Sequence, residues 1–115
     1  MSAQNIALLT LTVALSGTVT ANRFVTPAGA QAGADANTLG VSRVAGISGD
    51  HAPVDVLGTA VVEAGAAVSA GASLKSDASG RAITWATSGA KVGIALDAAT
   101  AAGQMIEVLL IPNVA

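Results

Sequence analysis

The sequence has no cysteine and no tyrosine. Without thiols there is no disulfide and no thiol nucleophile, and a zinc site loses its usual ligands. Aromatic side chains are nearly absent, since Phe24 and Trp85 stand alone. Charge is scarce too: five Lys or Arg face seven Asp or Glu, for a formal net charge of -2. That balance creates no strong field, so free nucleic acid is not an expected partner. Arg23, Arg43, Lys75, Arg81 and Lys91 are too spread to read as a basic stripe. The longest apolar stretch, residues 6–15 (IALLTLTVAL), falls short of the about 20 residues a spanning helix needs, so no membrane partner is expected. It resembles a signal peptide only faintly, because no Lys or Arg precedes it.

What the chain does have is alanine, valine and glycine. Apolar residues make up 52% of it, but many are alanine, which buries little area. At roughly 25 cal/mol per Å² of buried apolar surface, such a core is weak for its length. Part of the apolar surface is therefore expected to be covered by another subunit or by a partner.

The period is that of strands. Thr10 and Thr12 interrupt residues 6–15 at a spacing of two. Further extended runs are read at 18–25, 38–45, 54–62, 67–69, 73–75, 81–86, 91–96 and 105–111. Residues 76–80 (SDASG) suit a hairpin loop, with Gly80 free to take a positive φ. Gly93 in the middle of KVGIAL marks a close backbone approach or a bulge. Residues 26–37 read as a loop with one helical turn, and 46–53 as a turn-rich loop. Residues 97–103 (DAATAAG) read as one short helical turn, capped by Asp97 and Gly103. Pro112 ends the last strand. Many short strands with frequent turns make the expected fold all-β, a small barrel or sandwich. Residues 1–15 form an N-terminal segment or arm, and 16–115 a single β-rich domain.

Catalytic groups do not converge in this pattern. His51 is the only histidine, and Ser42, Ser48 and Ser69 lack the context of an activated nucleophile. His51 is read as a solvated or interface residue. The carboxylates Asp35, Asp50, Asp55, Glu63, Asp77, Asp97 and Glu107 are scattered, with Glu107 expected at solvent or paired to a cation. GAAVSAG at 65–71 lacks the GK[ST] ending of a phosphate loop. Neither an enzyme nor a cofactor or metal site is expected. Candidate interface residues are Ile6, Leu8, Leu9, Leu11, Val13 and Leu15 on the N-terminal segment, with Phe24 and Trp85 as either anchors or core.

Three stretches carry a resemblance: RFVTPAGAQAG at 23–33, LGVSRVAGISGDHAPVDVLGTAVVEAGAAVSAGASLKSDASGRAI at 39–83, and VGIALDAATAAGQMIEVLLIP at 92–112. In order and spacing the chain resembles the small capsid cement, or decoration, proteins of tailed bacteriophages. The resemblance implies a non-enzymatic virion protein on the outer face of the capsid, made in the host cytoplasm. It implies the major capsid protein as partner, contacted where its subunits meet, and a homo-oligomer, a trimer before a dimer. Two other readings stand beside it. One is a lipoyl- or biotinyl-like carrier domain centred on Lys75, from GASLKSD. The other is a secreted adhesin-like β-module, if residues 6–15 are a signal.

Overall fold

The structure, a computed structural model, describes residues 5–111. Residues 1–4 of the N-terminal segment and Pro112 lie outside the described residues. Among the described residues eight strands follow in chain order: β1 (Ala7–Ala14), β2 (Arg23–Val25), β3 (Gly40–Ser42), β4 (His51–Glu63), β5 (Ser73–Ser76), β6 (Ala82–Thr84), β7 (Gly93–Ala95) and β8 (Met105–Leu110). Neighbouring strands run in the order β2-β3-β4-β8-β7-β5-β6, and β1 adds to β4. All of these strand pairs are antiparallel.

The two ends of that order nearly meet, which makes the sheet a nearly closed barrel. Phe24 N–H on β2 donates to Gly80 C=O, just before β6, at 2.8 Å. Beyond β4, Ala64 bridges Ala82 in parallel, and Gly65 N–H donates to Ala82 C=O at 2.8 Å. Closure leaves few open edges for stray pairing.

Alternation explains what fills the interior. On β8, Ile106, Val108 and Leu110 point inward; on β4, Ala60 and Val62 do. They join Phe24, Val41, Leu74, Ala82, Val92 and Ala95 in one core. A second, small core holds Leu15, Val19, Val25 and Ala52. Small inward side chains let strands pack tightly. A Cβ on Gly93 would stand 2.6 Å from Val108 Cγ1 and 2.7 Å from Leu109 O, so the close approach expected there is present.

The 76–80 loop also forms as expected. Asp77 Oδ1 accepts the N–H groups of Ser79 (2.8 Å) and Arg81 (2.9 Å), and Gly80 has φ 76°. Other expectations are corrected. Residues 97–103 hold no helical turn. Instead Ala99 and Val68 exchange two backbone hydrogen bonds at 2.8 and 2.9 Å, so this segment and 67–69 meet as an isolated bridge. A distant pairing partner outcompetes one helical turn, whose nucleation is unfavourable. Residues 26–37 are turns without a helical turn, broken by the Val25–Gln31 bridge. The loop expected at 46–53 ends early, because His51 to Pro53 already pair with β1.

Phe24 is the largest fully buried side chain. Phe24→Ala is expected to destabilise the fold by about 3–5 kcal/mol, the range for removing a core phenylalanine. Urea denaturation measures this.

Candidate interaction surface

Polar chemistry in this protein is spent inside the molecule. Arg23, Glu63, Arg81 and Asp77 form an alternating chain of charges at the barrel seam. Arg23 Nη2 lies 3.2 Å from Glu63 Oε1, Arg81 Nη1 lies 3.6 Å from Glu63 Oε2, and Arg81 Nε lies 3.2 Å from Asp77 Oδ2. Arg23 Nη1 also donates to Ser79 C=O at 2.9 Å, tying β2 to the β5–β6 loop.

A second group lies under β1. Asp55 on β4 is buried, and its Oδ1 accepts from Arg43 Nε at 2.8 Å and from the Thr10 hydroxyl at 2.9 Å. Oδ2 accepts from the same Nε at 2.9 Å. The Asp55 carboxylate raises the Arg43 pKa, first by hydrogen bonding and then by its charge. This contact pins β1 to the barrel.

A third group gathers Asp35, Lys75, Ser88, Trp85 and Lys91. Lys75 Nζ lies 2.8 Å from Asp35 Oδ1, and the Ser88 hydroxyl donates to Oδ2 at 2.9 Å. The Lys75 hydrogen bond, then that of Ser88, holds the exposed Asp35 carboxyl below its ordinary value. Trp85 is half-buried; its indole N–H donates to Gly89 C=O at 2.9 Å, and Lys91 Nζ sits 4.4 Å from the ring centroid. Each of the five basic side chains thus has an intramolecular carboxylate or ring partner.

The apolar residues present the opposite picture. Ile6 is 56% exposed and Leu8 80%, with Leu9 and Leu11 exposed beside them. Val13 is half-buried. Leu15 and Phe24 belong to the two cores and offer no surface. Of the candidate interface residues, the structure therefore gathers Ile6, Leu8, Leu9, Leu11 and Val13 on one ribbon and sets Trp85 apart. A smaller patch pairs Ile94 with Leu109 across β7 and β8, both exposed.

Two side chains depart from expectation. Glu107 is buried, with Oε1 lacking a hydrogen-bond partner, instead of solvated or ion-paired. Asp97 caps no helix, and its Oδ2 accepts the Glu107 N–H at 3.1 Å. Lys75 lies on β5, in the extended run expected before the hairpin loop, and its ammonium is taken by Asp35, which does not suit a carrier lysine. His51 is exposed at the start of β4, paired with Ala14. Among the described residues no three His, Asp or Glu side chains converge on a metal-sized site. Sequence reading missed the Asp55 cluster. It also passed over one legible signal: no Asp, Glu, Lys or Arg precedes Arg23.

Over residues 3–110 the chain matches the phage cement protein family. It belongs to that family. Cement proteins are structural, so this chain is a virion-associated component that decorates or stabilises the phage head and not an enzyme. No curated protein sequence matches it. Among solved structures it is similar to the head fiber gp8.5 N base in bacteriophage phi29, at 20% identity and a TM-score of 0.72. That match covers 90% of this chain and 93% of the other, and it shows a shared fold.

Two outcomes test the charge groups. Arg43→Met leaves a buried carboxylate without its cation and should cost roughly 1–3 kcal/mol in urea denaturation. Asp35 is depressed in the folded state, so its contribution is present above the unfolded carboxyl value of about 3.9 and fades as pH falls through the folded value. Asp35→Asn should therefore flatten part of the loss of thermal stability below about pH 4.

Proposed function

We infer that this cement protein binds the outer face of the capsid where major capsid subunits meet, and braces those junctions against packaged DNA. We further infer that it acts as a homo-oligomer, a trimer before a dimer. The observation that carries the reading is the division of the surface: the cations are engaged within the chain, while bulky aliphatic side chains stand in water on β1. The association this supports is apolar and main-chain in character. Burying Ile6, Leu8, Leu9 and Leu11 gains roughly 25 cal/mol per Å². Each contact is modest, and several copies fixed on one lattice add through effective concentration. β1 and its pairing segment on β4 form the ribbon offered to the shell.

Mixing the protein with empty procapsids and with expanded shells that lack it, then co-sedimenting, tests the reading. Binding is expected to shells and not to dispersed capsid subunits at equal concentration. It should hold between roughly 0.1 and 1 M salt, where the Debye length falls from about 10 to about 3 Å. Dissociation at high salt would show that ion pairs across the interface carry the contact and would overturn the apolar account.

A further inference from the structure

We propose that the outer edge of β1 is a strand acceptor, and that its occupant is an uncharged, extended segment of the shell subunit. The proposal rests on the decoration reading above and names the contact within it. Among the described residues β1 pairs with β4 and with no other strand. Leu15 N–H donates inward to Asp50 C=O, whereas Ser16 N–H donates to Gly29 C=O on the other side. Backbone groups of successive strand residues point to opposite edges. By that alternation Thr10, Thr12 and Ala14 direct theirs away from β4. The 26–30 loop closes over the Ala14 end, where a Cβ on Gly29 would collide with Ala14 O. At the other end the register shifts between Ala7 and Leu9 and again between Leu9 and Thr10, which breaks the regular edge. What stays open is a short window centred on Thr10 and Thr12. Among the described residues their outward N–H and C=O groups have no backbone partner.

Edges of this kind are usually blocked by charge, proline or a covering loop. Among the described residues none of these lies over the window, and the sequence carries no charged side chain before Arg23. An added strand gains main-chain hydrogen bonds at Thr10 and Thr12, apolar contact with Leu9 and Leu11, and no ionic partner. That selects an apolar or hydroxyl-bearing extended segment.

The choice between the shell and a second copy follows from size. The exposed aliphatics of β1 offer on the order of a few hundred Å², enough to mark an interaction site. A stable two-body interface needs about 800 Å² per partner. The window alone therefore does not hold a dimer, and it suits a lattice that engages many copies at once.

Thr12→Pro tests this directly. Its N–H points away from β4, so proline removes the outward donor without removing a bond to β4. The variant should keep the wild-type thermal melt and lose about tenfold or more in shell affinity by co-sedimentation. In the wild-type protein, the Thr10 and Thr12 amides should exchange hydrogen freely in solution and become protected on shells. If Thr12→Pro binds as wild type and those amides stay unprotected on shells, the strand-acceptor proposal is wrong while the decoration reading stands. If the amides are protected in the free oligomer and Thr12→Pro reduces its size in sedimentation, the occupant is a second copy and the proposal fails. If wild type ignores shells, the decoration reading falls and takes this one with it. Should the proline variant not fold, the wild-type exchange measurement decides alone.

Discussion

The interior of this barrel is built from small side chains, and that constraint organises everything else. Ala60, Ala64, Ala82, Ala90, Ala95 and Ala99 share the core with valines, Leu74, Ile106, Leu110 and one phenylalanine. Alanine buries little area, so stability depends on bringing strands close and closing the sheet on itself. Gly93 under Val108 is the local sign of that closeness. Contacts that close it include the Phe24–Gly80 hydrogen bond, the Ala64–Ala82 bridge, and the charge chain from Arg23 to Asp77.

The bulky aliphatics divide between the interior and the surface. Leu74, Ile106 and Leu110 are accommodated, but Ile6, Leu8, Leu9, Leu11, Ile94 and Leu109 remain at the surface. Several larger aliphatic side chains thus stand outside, while alanines and valines supply much of the interior. For an isolated protein that is a liability. For a protein of the cement family it is surface available to an assembly, where each contact is weak and many are made together.

The charges work toward the same end. Scarce cations are matched within the chain, at the seam, beneath β1 and around Trp85. Asp55 couples the two themes, because one buried carboxylate holds both the Thr10 hydroxyl of β1 and the Arg43 guanidinium. β1 is thereby fixed to its own barrel while its far edge stays open. Fixing a binding strand beforehand lowers the ordering cost of engaging a partner.

Strand periodicity and turn chemistry at 76–80 could be read residue by residue, because each depends on neighbours in the chain. The positions of β1, β5, β6, β7 and β8 follow from local alternation in the same way. The missed features all depend on partners distant in sequence. A helical turn at 97–103 is locally reasonable and loses to Val68, some 30 residues away. Glu107 alternates like an exposed residue and is nonetheless buried, and Asp55 gives no sign in the sequence of the two groups it gathers. The sequence alone determined an all-β protein with a thin core and few, scattered charges, since composition and period are properties of the chain itself. Which strand edge stays open, and which cations are already taken, was decided only when closure of the barrel brought remote residues together.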